Sequence, residues 1–120
     1  MNEFRPADVK AVVPLSVLEA LDIRVGTIQK VEEVAHSKKL MKLTVSFGDH
    51  TRSVLAGIKK ERSNPKEIEG KQALFVLNLE LRKMAGETSE AMLFDIGYAD
   101  GIIPVLAMPE RNVPDCARAG

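Results

Sequence analysis

A chain of 120 residues with 17 Lys and Arg against 17 Asp and Glu carries a formal net charge of zero, which excludes a large, indiscriminate surface for polyanions and leaves room for a local basic face. The length allows one domain and not two, and the ordinary apolar content makes a soluble globular domain the expectation. No run of about 18 apolar residues reads as a membrane span, and the single cysteine, Cys116, excludes an intrachain disulfide and fits a reducing, cytoplasmic setting.

The chain opens Met1-Asn2-Glu3-Phe4-Arg5-Pro6, with no signal-peptide apolar core. Val9, Val12, Val13 and Leu15 form an apolar patch too small for a core of its own, and Pro14 ends any local helix. Ser16-Val17-Leu18-Glu19 fits a capping box and predicts one helical turn over residues 17–21. Leu21, Ile23 and Val25 alternate with Asp22 and Arg24 as in a half-buried strand. The spacing then slips to three at Ile28, Val31 and Val34, and a bulge or sharp bend at Gly26 accounts for the slip. A long first strand bent there would belong to both halves of a small barrel.

Residues 35–39 read as a turn with two cations. Met41, Leu43, Val45 and Phe47 then point one way, with Lys42, Thr44 and Ser46 on the other face. Gly48-Asp49-His50 closes a hairpin, and residues 51–56 return as a third strand. Asn64-Pro65-Lys66-Glu67 places a capping residue before a proline, with Gly70 as the stop of a short helix. Lys59, Lys60 and Arg62 just before it are simplest as solvated charge. Behind Gln72 the chain is continuously apolar to Leu77, and residues 72–77 suit a central strand buried on both sides. A polar loop follows, then a fifth strand over residues 90–96, and a further irregular strand over residues 102–108 that Pro104 restricts to an edge. The pattern is all-β: a small barrel of five strands with a short helix between the third and fourth.

Catalysis needs a nucleophile with a base, paired acids or a metal cluster. His36 and His50 stand apart without ligand-spaced partners, Cys116 has no neighbouring histidine, and no phosphate-binding glycine loop occurs. No enzyme, cofactor or metal is expected. Four Phe, one Tyr and no Trp are too few for serial base stacking, and Phe47 and Phe75 read as core. Tyr98 is expected to pack under the tail.

The segment over residues 77–92 reads Leu77-Asn78-Leu79-Glu80-Leu81-Arg82-Lys83-Met84-Ala85-Gly86-Glu87-Thr88-Ser89-Glu90-Ala91-Met92. It combines adjacent cations, hydroxyls and a glycine that permits close approach, which are the groups that hold a phosphodiester. Asn-Leu followed by Arg/Lys-Met-x-Gly-x-x-Ser-x-x-Met resembles the signature of the tRNA-binding domain family. That family includes free-standing dimeric tRNA-binding proteins, the C-terminal appendage of methionyl-tRNA synthetases, CsaA-like export chaperones and a monocyte-activating cytokine domain. Leu21-Asp22-Ile23-Arg24-Val25-Gly26-Thr27-Ile28, Val54-Leu55-Ala56-Gly57-Ile58 and Pro109-Glu110-Arg111-Asn112-Val113-Pro114 match in the same order, so the resemblance spans nearly the whole chain.

The resemblance implies a five-stranded Greek-key barrel of the OB type over residues 22–97, with an N-terminal arm at 1–21 and a C-terminal extension at 98–120. It implies non-catalytic, shape-directed binding of tRNA by a homodimer, and the starting Met1 suggests a stand-alone protein. The implied contacts are Asn78, Arg82, Lys83, Met84, Gly86, Ser89 and Met92, with Lys38, Lys39 and Lys42 added from the turn and the polar face beside it. The turn His36-Ser37-Lys38-Lys39-Leu40 is shorter than its counterpart in relatives, and Cys116 stands where relatives commonly have glycine. The alternative ligand is unfolded polypeptide, as in the CsaA branch, held by Met84, Met92 and neighbouring apolar groups.

Overall fold

Strict alternation fixes the second strand. Met41, Leu43 and Val45 are buried while Lys42, Thr44 and Ser46 are half exposed, so a single apolar face packs inward. The structure is a computed structural model that describes residues 4–120; residues 1–3, with the start of the expected arm and of the leader reading, lie outside the described residues. In chain order the described residues form helix α1 (Leu15–Glu19) and strands β1 (Ile23–Glu33), β2 (Met41–Ser46), β3 (Thr51–Ala56), β4 (Gln72–Val76), β5 (Arg82–Met84), β6 (Glu87–Ser89), β7 (Met92–Leu93), β8 (Asp95–Ile96) and β9 (Val105–Leu106). Short 3₁₀ turns lie at Pro65–Ile68 and Tyr98–Asp100.

Five strands join in the antiparallel order β3-β2-β1-β4-β7. The long β1 serves both halves: its first part, to Thr27, pairs with β4, and its second part, from Thr27, pairs with β2. Thr27 is the handover residue, opposite both Ser46 and Gln72. The result is a five-stranded, nearly closed barrel, as the pattern implied, and of the OB type, as the resemblance implied. Its core holds Ile28, Val31, Leu43, Val45, Val54 and Ile68 around Phe47 and Phe75, whose rings meet edge to face at 5.6 Å.

β3 and β7 share no ladder, so the seam between them is closed by other means. The Glu90 N–H donates to the Ser53 carbonyl at 2.8 Å, and the Ser53 N–H donates to Glu90 Oε1 at 2.8 Å. The next free edge donor, the Leu55 N–H, reaches Ser89 Oγ at 3.0 Å. Arg52 donates across the seam to the carbonyls of Leu77 and Glu90, both at 3.0 Å. These bonds occupy the edge groups that an open sheet would leave for another chain.

The tail returns to the barrel. Val25 donates to the Ala117 carbonyl, and Cys116 and Ala119 donate to the carbonyls of Val25 and Ile23. Gln72 and Thr27 both bond to Asp115. Cys116 holds φ +76, so the residue that departs from the expected glycine does sit in left-handed backbone, with the Arg24 guanidinium 3.2 Å from its sulfur. Arg24 of β1 and Arg118 of the tail clasp one acid at the start of β1: Asp22 accepts from Arg24 at 2.9 Å and from Arg118 at 3.2 Å. The Arg24 hydrogen bond, reinforced by both positive charges, holds the Asp22 carboxyl below the usual carboxylate range.

Several local expectations are corrected. Gly26 is not the bulge: it pairs regularly with Ala73, and the register shifts between Ile28 and Lys30. Gly26 is required instead by packing, since a Cβ there would lie 2.6 Å from Val45 Cγ1 and 2.7 Å from Phe47 Cε1. Helix α1 starts at Leu15 behind Pro14, and no Ser16 capping bond forms. Asn64 makes no side-chain cap either, and Glu67 bonds to Arg62 at 2.7 Å instead. The expected fifth strand is split into β7 and β8, and the expected 102–108 strand shrinks to Val105–Leu106. Tyr98 does not pack under the tail; it is 75 % exposed.

Candidate nucleic-acid interface

The segment read as a loop is a two-stranded ribbon. β5 and β6 pair Arg82 with Ser89, Lys83 with Thr88, and Met84 with Glu87. The turn residues Ala85 and Gly86 have φ +50 and +81, the mirror-image two-residue turn whose twist suits a hairpin. Gly86 carries its positive φ without strain, whereas Ala85 does not. Side chains alternate across the ribbon, so Arg82, Met84, Glu87 and Ser89 share one face, and Lys83 and Thr88 the other.

The first face turns toward the barrel seam. There Leu55, Leu79, Glu80, Arg82, Met84, Ser89, Ala91 and Met92 line a small pocket. Its floor is apolar, while Glu80 and Arg82 are exposed and make no ion pair or side-chain hydrogen bond among the described residues. Met84 is half buried and Met92 exposed.

Two of the expected contact residues spend polar atoms on the protein itself. Ser89, only 5 % exposed, accepts from Leu55 and donates to the Ala91 carbonyl at 2.9 Å. Asn78 accepts from the Asp22 N–H at 2.7 Å and donates to the Ala20 carbonyl at 2.7 Å, fixing the end of α1 to the end of β4. The two residues thus hold both ends of the signature segment.

The cations differ in state. Arg82, Lys83, Lys38 and Lys39 are exposed and form no ion pair among the described residues. Lys42 is half buried and pairs with Glu87 at 3.1 Å, which ties the polar face of β2 to the ribbon. No hydrogen bond or ion pair among the described residues joins Lys38 or Lys39 to the ribbon, so this turn is a separate basic point. Lys59 is occupied by Glu33 at 3.6 Å and by the Ser37 carbonyl, and Arg62 by Glu67, so these two cations, expected as solvated charge, are instead half buried and paired within the protein. Leu55, from the distant third strand, and Glu80 lie in matched segments but were not among the expected contacts; only the barrel's closure brings Leu55 to the pocket.

A small OB barrel with a cationic ribbon beside an apolar pocket defines a class of ligand-binding module. The family model described as "Putative tRNA binding domain" matches residues 23–117. The chain belongs to that family. It is 42 % identical over 99 residues to a methionine–tRNA ligase of Chlorobium chlorochromatii, covering 82 % of this chain and 13 % of the ligase. A methionine–tRNA ligase of Methanocaldococcus jannaschii is 34 % identical over 96 residues, covering 80 % of this chain and 15 % of that enzyme. The chain therefore spans only about a seventh of these curated relatives' length. Among solved structures, a MetRS-related protein from Pyrococcus horikoshii superposes with a TM-score of 0.84 at 32 % identity, covering 92 % of this chain and all of that one. The chaperone CsaA from Bacillus anthracis superposes with a TM-score of 0.79 at 27 % identity, again covering 92 % of this chain and all of that one. No helix among the described residues is long and apolar enough to cross a membrane.

Proposed function

We propose that the chain binds tRNA without catalysing a reaction, in the cytoplasm, through the ribbon and the faces beside it. The observation that carries this reading is the pair of unpaired cations, Arg82 and Lys83, on an exposed two-stranded ribbon within the matched family segment. Lys38 and Lys39 add a second point for the backbone, and Lys42 a third whose charge Glu87 partly offsets. Asn78 and Ser89 set the ribbon's position, Gly86 its turn, and Met84 and Met92 its apolar contacts. Recognition rests on backbone and shape, because exposed aromatics are scarce on this face.

In this reading residues 22–97 carry the ligand, and residues 1–21 and 98–120 pair two copies. Support comes from the apolar surface these segments leave open: no residue of α1 is buried, and Leu15, Val17, Leu18, Ile102, Ile103 and Val105 are all exposed. A homodimer would set two modest basic faces on one particle.

One observation favours a second ligand, unfolded polypeptide. The pocket floor is apolar and bears two methionines, and the CsaA chaperone is a structural neighbour at 27 % identity. A gel shift with total tRNA, competed by an unfolded polypeptide, separates the two. The tRNA reading expects a shifted band that polypeptide excess leaves in place; no shift at low salt would end it.

A further inference from the structure

The turn before β2 and the segment after β3 are bound to each other. The Lys59 N–H donates to the Lys39 carbonyl at 3.0 Å, and the Lys59 ammonium donates to the Ser37 carbonyl at 3.3 Å. Beside this junction a groove of about 350 Å³ opens between the start of β2 and the 3₁₀ turn at Pro65–Ile68. Met41 and Pro65 give it apolar walls, and Ser63 and Asn64 polar ones. Three cations, Lys59, Arg62 and Lys66, line it against one carboxylate, Glu33. The Arg62 side chain is 16 % exposed and spends only Nη1, on Glu67 at 2.7 Å. No buried side-chain nitrogen among the described residues lacks a partner, so the unbonded Nε and Nη2 of Arg62 open to solvent. Lys66 is exposed and forms no ion pair among the described residues.

We infer that this groove is a second binding site, separate from the ribbon, that takes a phosphate of an RNA strand together with its ribose. The inference rests on the RNA-binding reading above. Glu67 fixes the direction of the Arg62 guanidinium, whose two remaining donors match two oxygens of one phosphate. Lys66 adds a point charge, and the three lining cations outnumber the one lining carboxylate. Ser63 and Asn64, both exposed, face the ligand with a hydroxyl and an amide that suit the sugar's hydroxyls. An acidic peptide would satisfy the cations and leave those two groups without partners. The groove adjoins the turn of Lys38 and Lys39, so it joins that separate basic point to an ordered site for the strand.

Amide correlation spectra of the isotope-labelled full chain, titrated with the trinucleotide pUUU, test this, with affinity for total tRNA measured in parallel. The wild-type protein should show saturable shifts at the amides of Ser63, Asn64 and Lys66 and at the Arg62 Nε–H. Arg62→Gln should abolish the shifts in the groove and weaken tRNA binding about tenfold. Lys66→Ala, which disturbs no pair, should weaken it about threefold. Lys71→Ala, which removes an equal charge outside the groove, should leave the groove shifts in place. Shifts confined to the ribbon, with tRNA affinity unaltered in Arg62→Gln and Lys66→Ala, would overturn the groove assignment while leaving tRNA binding intact. Equal shifts with triglutamate would also overturn it, in favour of a carboxylate ligand. Wild-type protein that binds no tRNA and shows no shift with pUUU would overturn the assignment together with the reading beneath it.

Discussion

The Ser89 hydroxyl accepts the Leu55 N–H at 3.0 Å across the one seam of the barrel that has no strand ladder. The same oxygen donates to Ala91. One buried side chain therefore closes the core and anchors the ribbon that carries Arg82 and Lys83.

Ser89→Ala leaves the Leu55 N–H buried without an acceptor. The expected loss is about 1–3 kcal/mol of unfolding free energy in urea titrations. Ligand affinity should fall as well, because the ribbon loses its anchor. A variant of wild-type stability would show that the seam does not depend on this bond.

Gly26→Ala drives a methyl into Val45 and Phe47, which are fully packed in the core. Overpacking of this kind costs about 1–3 kcal/mol. Gly57→Ala is the matched control, since a Cβ there meets nothing within 4 Å. Thermal melts of the two should differ clearly, with only Gly26→Ala lowered.

The ribbon turn gives two opposite expectations. Ala85→Asn places a residue that tolerates left-handed backbone at φ +50, and should stabilise the protein by up to about 1 kcal/mol. Gly86→Val puts a β-branched side chain at φ +81, where strain of about 1–3 kcal/mol reshapes the turn. It should abolish tRNA binding with the barrel's circular dichroism intact, because the turn lies outside the five-stranded sheet. Normal tRNA binding by a folded Gly86→Val protein would reduce this glycine to a turn residue.

Burial pushes the Asp95 carboxyl above its ordinary value of 3.8, and burial together with the negative charge of Asp95 does the same to Glu61. Between the ordinary and raised values the folded chain binds more protons than the unfolded one, so stability falls as pH rises through that window. Asp95→Asn should therefore raise the melting temperature at neutral pH, with the gain vanishing below the unfolded value near 3.8. A gain that persists at lower pH would point to packing in place of charge.

The barrel was legible where alternation was clean, as in Met41, Leu43 and Val45, and where an unbroken apolar run from Ala73 to Leu77 marked the central strand. Gly26 was misread because period alone locates a slip only to within a few residues. A glycine needed for a neighbour's ring leaves the same trace as one needed for a bulge. The ribbon was read as a loop because its strands are three residues each and largely polar, with nothing apolar to alternate. Of the site, the signature cations were legible. The Lys42–Glu87 pair and the approach of Leu55 to Ser89 were not, because both join segments more than thirty residues apart and exist only once the barrel closes.

The salt dependence of tRNA affinity tests the central claim most directly. Four exposed, unpaired cations, Lys38, Lys39, Arg82 and Lys83, predict a slope of log K against log salt of roughly −3, from about 0.7 to 0.9 per phosphate contact. Arg82→Ala and Lys83→Ala should each shallow it by about one contact, while Glu32→Ala, whose partner is Lys30 at 3.5 Å, should leave it unchanged. A chain of zero net charge has no global field to imitate these local effects. A slope unaltered in both cation variants, or affinity that responds to Met84→Ala and not to salt, would contradict tRNA binding and favour unfolded polypeptide as the ligand.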